Sequence, residues 1–374
     1  MQLSGRMINI ERYRIFSGIS SLEKVDYFLR SSGLGKGRIF ILCDQNTRKL
    51  CLPELLAQSS ILSDASILEI PAGEQAKTLQ TAAGLWEQLL EAKADRHSLL
   101  INLGGGVVSD LGGFVSSGYK RGIPYINIPT TLIGMADAAI GGKTGINMGH
   151  VKNQVGSYAS PSAIFISFPF LSTLSGDHLR SGMAEVVKSA LVGDAPMWNR
   201  ISRRTMKEWI ELSVTEKSWM ELIEKAVTFK NAIVRQDYRE KKLRKVLNFG
   251  HTMGHAVESL SQRPGQIPLF HGDAVAIGMI CESYLSSIKT GLSEQDLLKI
   301  VSFLSKEIPH PPFMDEPEVI HALLEQMKFD KKNSGSQIRF TLLRHPGSPQ
   351  INVPVAPEEI VASWNFYLSQ RNRR

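Results

Sequence analysis

Between residues 38 and 170 short apolar runs alternate with helix-length amphipathic segments, and this restricts the fold more than any other feature. RIFILCD (38–44), SILEIP (66–71), LLINLGGG (99–106), YINIPTT (125–131) and AIFISF (163–168) are bounded by turn residues and read as buried strands. SLEKVDYFLRSSG, just before the first of them, and KTLQTAAGLWEQLLEA, between the second and third, carry apolar residues at helical spacing. Such alternation predicts a parallel sheet sandwiched between helices.

Past about residue 175 the texture changes. MAEVVKSALV, MKEWIELSV, WMELIEKAVTFKNAIVRQD, GHTMGHAVESLSQ, GDAVAIGMICESYLSSIKTG, EQDLLKIVSFLSKE and PEVIHALLEQM all have helical length and period, and only IRFTLLR (338–344) reads as a late strand. The expected organisation is an α/β domain over 1–176 with a parallel Rossmann-like sheet, followed by a mainly helical domain over 177–374. A length of 374 residues accommodates two domains, and 43% hydrophobic with 21% charged residues is ordinary for a globular protein.

The formal charge of +7 narrows the choice of ligand. Basic residues are scattered, densest at 230–245 and in the QRNRR tail, with no long block interleaved with aromatics. A small anionic ligand is therefore expected, and neither nucleic acid nor a membrane. Three cysteines without a CxxC pair support neither a disulfide framework nor a cysteine zinc site. With no signal-like segment and no apolar run near the roughly 18 residues of a membrane span, the expected location is the cytoplasm.

INLGGGVVSDLGG (101–113) ends a strand in three glycines and enters a helix. Without Cβ atoms the backbone there can approach a ligand, and the helix N-terminus offers N–H groups to a pyrophosphate. It is not the GxGxxG fingerprint, since Ser109 takes the third glycine position when counting starts at Gly104. Asp44 closes the first strand, where a carboxylate can hold ribose hydroxyls, and PAGEQAK (71–77) and IPTT (128–131) close two more. GGKTGINMGHVKNQVG (141–156) fails the Walker spacing but forms a loop rich in phosphate-seeking donors, among them Lys143, Lys152 and Asn153. These strand ends favour a dinucleotide and a separate phosphate.

In LNFGHTMGH (247–255), His251 and His255 stand four apart on one helical face, so both imidazoles can meet one cation. The zinc-protease pattern requires Glu after the first His, and Thr252 stands there. Candidates for a further ligand are His271 in LFHGDAVAIG and Glu185 in SGMAEVVKSA. Glu185 lies in an apolar stretch where a carboxylate needs a partner, and either a metal or Lys188 three residues on would serve.

GGGVVSDLGGFVSSGYKRG, IPTTLIGMADAAIGGKTGIN, VKNQVGSY, GMAEVVKSALV, LNFGHTMGHAVE, FHGDAVAIGM and FDKKNSG, in this order from about residue 38 to 344, together resemble the 3-dehydroquinate synthase family of sugar phosphate cyclases. The resemblance implies a dehydroquinate synthase-like fold, NAD, and zinc or cobalt held by Glu185, His251 and His271. His255 then becomes a catalytic residue beside the metal rather than a ligand. Asp137, Lys143, Asn153, Lys188, Lys230, Arg244 and Asn248 are implied as substrate contacts, with Lys331 of FDKKN, or Lys332 in its place. Arg121 is implied to reach the neighbouring subunit's site in a homodimer. NAD is implied to rest on Asp44, Glu74, Lys77, Gly105, Gly106, Val107, Asp110, Thr130, Thr131, Lys143, Lys152 and Thr173.

Departures from the family pattern are MGHV (148–151) before Lys152, HGD where HGE is commoner at 271–273, and no tyrosine after Lys188. The family's substrate, 3-deoxy-D-arabino-heptulosonate 7-phosphate, carries a carboxylate and a phosphate, which accounts for the implied lysines and arginines. Transient oxidation by NAD acidifies a neighbouring hydrogen, phosphate is eliminated, the hydride returns, and an aldol step closes the ring to 3-dehydroquinate. Rival readings are another cyclase such as a valiolone synthase, a metal-dependent polyol dehydrogenase, and a non-catalytic phosphate-binding protein. Lys230, Arg244 and FDKK favour a carboxylate-bearing substrate.

Overall fold

The computed structural model describes residues 6–9, 13–149, 151–213, 217–328 and 337–371. They fall into two compact units, one within Met1–Ser175 and Ser213–Val227, the other within Gly176–Leu212 and Thr228–Arg374.

The first unit contains strands β1 (Arg6–Asn9), β2 (Arg14–Gly18), β3 (Ile39–Asp44), β4 (Ser66–Ile70), β5 (Leu99–Gly104), β6 (Tyr125–Pro129), β7 (Lys143–Met148), β8 (Val151–Tyr158) and β9 (Ala163–Ser167). Its helices are α1 (Val25–Ser32), α2 (Gln45–Leu50), α3 (Leu52–Gln58), α4 (Leu79–Glu91) and α5 (Gly106–Gly118). The sheet runs β1-β2-β9-β6-β5-β3-β4, parallel throughout except for the antiparallel pair β1 and β2. All the runs read as strands in this half of the sequence are strands, because β5, β6 and β9 are buried along their whole length. An apolar run in a sheet covered on both faces has no polar alternation to disguise it.

Taken as first to fifth, β3, β4, β5, β6 and β9 lie in the order 2-1-3-4-5 of a doubly wound sheet. The chain reverses its direction of winding between β3 and β5, and the crevice outside the carboxyl ends of strands at such a point is where ligands bind. Asp44 and the glycines after Leu103 stand at these strand ends.

Strand β2 and the β7–β8 hairpin escaped the sequence reading. β2 pairs with β9 across most of the unit's length, and Phe16 stacks on Phe165 with centroids 4.7 Å apart. Nothing local to a five-residue run announces a partner so far along the chain. The segment 141–156, read as a loop, is for the most part the antiparallel hairpin of β7 and β8, where a Cβ on Gly156 would come 2.1 Å from the Thr144 carbonyl oxygen. Its glycines serve this close backbone approach.

The second unit is built on α6 (Gly176–Gly193), α7 (Ala195–Ile201), α8 (Met206–Glu211), the later residues of α9 (Lys217–Gln236), α10 (His251–Ser261), α11 (His271–Lys289), α12 (Glu294–Ser305), α13 (Val319–Lys328) and α14 (Pro357–Arg371). The late strand β10 (Ile338–His345) pairs with β11 (Ser348–Val355), a second strand the sequence reading lacked. Among the described residues no helix is long and apolar enough to cross a membrane.

Glycines let α10 and α11 touch. A Cβ on Gly278 would lie 1.9 Å from the Gly250 carbonyl oxygen, and one on Gly254 would lie 2.9 Å from that of Ala274. A comparable contact joins α11 to α6, where a Cβ on Gly272 would meet the Ser181 carbonyl oxygen at 1.8 Å. Side chains at the starts of α10 and α11 are thereby drawn toward the middle of α6.

Candidate active site

The strand-to-helix turn after β5 is tighter than its three glycines alone require for a ligand. A Cβ on Gly104 would meet Val108 at 2.5 Å, and one on Gly105 would meet Thr131 at 2.9 Å. α5 has no side-chain N-cap. Its first-turn N–H groups, from Gly106 and Val107 onward, therefore lack a partner within the helix and face the position an anion would take. Thr130 lies beside this turn, its N–H bonded to the Gly104 carbonyl at 3.0 Å. Its buried Oγ1 has no hydrogen-bond partner among the described residues, so a ligand atom there would satisfy it.

Asp44 sits at the switch point, and the structure gives it a task the sequence reading did not foresee. Its Oδ1 caps α2, accepting the N–H groups of Asn46 and Thr47 at 2.9 Å each. Thr131 similarly accepts the Gly134 N–H at 3.1 Å, fixing the turn that carries Asp137. Thr173 donates to the Phe170 carbonyl at 2.7 Å and lies 3.9 Å from the Cys51 sulfur.

Lys77 gathers several of the implied residues. Its buried Nζ donates to Asp110 Oδ2 and to Asn153 Oδ1, both at 2.6 Å. Asn147 links this cluster to Glu74, donating to Oε1 at 2.8 Å while its own Oδ1 accepts the Asn153 N–H at 3.0 Å. Lys152 lies 3.6 Å from the same Glu74 oxygen. Asn153 adopts φ +53°, a left-handed conformation that Asn tolerates better than most residues. Lys143 stands exposed at the start of β7, and Arg121 is exposed on a turn at φ +66°.

In the second unit, α6 presents Glu185 and Lys188 with their side chains almost wholly buried, Nζ to Oε2 at 2.5 Å. The other oxygen, Oε1, lies 3.6 Å from Nε2 of His251 and 3.5 Å from Nε2 of His271. Two ligands bonded to one tetrahedral ion at about 2.0 Å stand roughly 3.3 Å apart. The observed separations are close to that span, so Glu185 Oε1 can share a divalent cation with either imidazole.

Both imidazoles are already oriented for it. His251 Nδ1 lies 3.1 Å from the Phe249 carbonyl oxygen and His271 Nδ1 lies 3.1 Å from Glu258 Oε2, leaving each Nε2 turned toward Glu185. Burial opposes a charge on His271, but Glu258 and Glu185 outweigh it and lift the imidazole to about 10. Such a field attracts a cation. His255 completes the cluster, its ring centroid 5.2 Å from that of His251 and 5.8 Å from that of His271. The three histidines offer nitrogens all within 4.8 Å of one another, so geometry alone also permits the pairing of His251 with His255.

Arg244 is buried, its Nη1 donating to the Tyr238 carbonyl at 2.7 Å, and Asn248 donates to Glu240 at 2.8 Å; both belong to the turn that leads into α10. Lys230 is buried on α9. Lys331 and Lys332 lie outside the described residues. The residues missed from sequence are carboxylates. Glu258 and Glu240 hold a proposed ligand and a proposed substrate contact, and no local spacing in the sequence marked either. The HGD departure is explained by packing, since Asp273 takes both Nε and Nη2 of Arg180 at 2.9 Å and ties α11 to α6.

Comparison with known proteins bears on this geometry. A family model described as 3-dehydroquinate synthase N-terminal matches residues 67–181, and one described as 3-dehydroquinate synthase C-terminal matches residues 182–333. The 3-dehydroquinate synthase of Parabacteroides distasonis is 40% identical over 337 residues, covering 90% of this chain and 93% of its own. That of Campylobacter concisus is 36% identical over 353 residues, covering 93% and 94%. Among solved structures, 2-epi-5-epi-valiolone synthase from Streptomyces hygroscopicus, with NAD+ and Zn2+ bound, is 29% identical with a TM-score of 0.82, over 98% of this chain and 99% of that one.

Proposed function

The chain belongs to the 3-dehydroquinate synthase family and has that family's lyase activity, and we propose how its own residues perform it. NAD and a divalent metal, zinc or cobalt, are the cofactors, and a sugar phosphate is the substrate. One observation carries the residue assignment: Glu185 Oε1 stands between two imidazole Nε2 atoms at 3.6 and 3.5 Å, each imidazole fixed from behind.

Glu185, His251 and His271 hold the metal in this reading. When bound, the metal supplies Lewis acidity toward a substrate hydroxyl, and the nicotinamide supplies reversible hydride transfer. His255, one turn along α10 from His251, moves the proton at that hydroxyl, since an imidazole serves as acid and base near neutrality. Lys188 screens Glu185 and reaches the substrate from the same helix. Arg244, Asn248, Lys230 and a lysine at 331 or 332 neutralise the substrate carboxylate. Lys143 and Asn153 receive the phosphate, and Asp137 orients the substrate beside them.

The cofactor reading rests on the first unit. Gly105, Gly106 and Val107 offer backbone N–H groups to the pyrophosphate, with Thr130 and Thr131 beside them. Asp44, Glu74, Lys77, Asp110, Lys152 and Thr173 complete the cradle, and Lys77 orders it by holding Asp110 and Asn153 together. A homodimer in which Arg121 reaches the neighbouring subunit is part of the proposal, supported by the exposure of Arg121.

The test mixes purified protein, NAD and Co2+ with 3-deoxy-D-arabino-heptulosonate 7-phosphate and follows free phosphate and dehydroquinate together. Equal release of both is expected. Phosphate without carbocycle reduces the activity to elimination alone, and turnover of a valiolone synthase substrate in its place selects that second cyclase reading.

A further inference from the structure

α10 begins at His251 without a cap of its own. Gly250 precedes it at φ +79° and has no side chain to accept the first-turn N–H groups. Their acceptor comes from the neighbouring helix. Glu282 of α11, fully buried, takes the Gly250 N–H on Oε2 at 2.6 Å and the Thr252 and Met253 N–H groups on Oε1 at 3.1 and 3.3 Å. Burying a carboxylate costs several kcal/mol unless it is well bonded. Three amides at the positive end of a helix dipole meet that demand.

We propose that Glu282 is a positioning residue for the metal ligand His251, one half of a reciprocal clamp in which α10 and α11 each orient the other's imidazole with a buried carboxylate. The inference rests on the metal assignment above. His251 lies between Gly250 and Thr252, whose N–H groups are both fixed by the one carboxylate, so its backbone is held on either side. The ring is anchored at Nδ1 by the Phe249 carbonyl, and Nε2 is turned toward Glu185. In return Glu258 of α10 holds His271 Nδ1 at the start of α11. Gly278 makes the exchange possible. It stands one turn before Glu282 on the same face, and its lack of a Cβ lets α11 approach the Gly250 carbonyl oxygen.

A structural role alone would lower stability and leave the metal unchanged, so the test reads the metal directly. Glu282→Gln keeps the size of the side chain but offers one acceptor oxygen where the carboxylate offers two. Co2+ is titrated into metal-free wild type, Glu282→Gln and Leu304→Ala, the last a buried α12 substitution away from the site, and thermal midpoints are recorded alongside. Glu282→Gln is expected to bind Co2+ about 10- to 100-fold more weakly and to change the visible ligand-field spectrum. Leu304→Ala loses thermal stability with Co2+ affinity and spectrum unchanged. Wild-type affinity and spectrum in Glu282→Gln overturn the clamp while the metal assignment stands. Failure of the wild type itself to bind Co2+ overturns that assignment, and the clamp with it. If Glu282→Gln does not fold, Glu282→Asp, whose carboxylate is one methylene short, carries the same two readouts.

Discussion

Lys188 places its ammonium 2.5 Å from one oxygen of Glu185, and both side chains are buried to 1% exposure. The carboxylate is thus shared between a fixed cation and the two imidazoles. Removing one member of a buried ion pair leaves a charge in low dielectric, at a cost of about 3–5 kcal/mol. Lys188→Met should destabilise the metal-free protein by about that amount, and saturating Zn2+ should recover part of it by taking up the abandoned charge. Urea unfolding with and without Zn2+ measures both. A variant as stable as wild type without metal would show that the pair is not formed.

His271 makes the site sensitive to pH. Its imidazole is lifted from 6.5 to about 10, burial being outweighed by Glu258 and Glu185. The charged ring therefore stabilises the metal-free fold fully below about pH 6.5, and the contribution fades as pH rises through about 10. Metal must displace that proton, so Co2+ affinity should rise about tenfold per pH unit between roughly pH 7 and 9. His271→Ala should retain little metal at any pH. Titrations at three pH values compare the slopes, and full zinc occupancy in His271→Ala would assign the ligand elsewhere.

Glycines at two helical positions should respond with opposite sign. Ala in a helix is favoured over Gly by about 1 kcal/mol. At Gly84 of α4 a Cβ meets nothing within 4 Å, so Gly84→Ala should gain about that much. At Gly278 it would lie 1.9 Å from the Gly250 oxygen and 2.8 Å from the Gly254 nitrogen, both backbone. The overpacking cost of about 1–3 kcal/mol or more prevails, and Gly278→Ala should lose stability and metal together. Thermal midpoints and bound zinc, measured on both variants, decide the matter.

Lys143 offers an exposed ammonium at the mouth of the β7–β8 hairpin. If it receives the leaving phosphate, Lys143→Ala should slow phosphate release about a hundredfold while bound zinc stays at the wild-type level. Unchanged turnover would remove Lys143 from the reaction.

What the sequence determined by itself was whatever its local pattern carries. Largely apolar runs predicted β3, β5, β6 and β9, because a strand buried on both faces needs no partner in view to be recognised. The motif GHTMGH likewise put His251 and His255 on one helix face, since residues four apart share a face whatever surrounds them. Tertiary structure decided which atoms meet. Glu185 reaches His251 and His271 only because α10, α11 and α6 approach one another through Gly254, Gly272 and Gly278. Glu258 and Glu282, which hold the imidazoles or their backbone, look in sequence like ordinary helical glutamates. β2 and β11 were hidden for the same reason. Hydrogen bonds between distant segments depend on where the chain returns, and no local spacing records that.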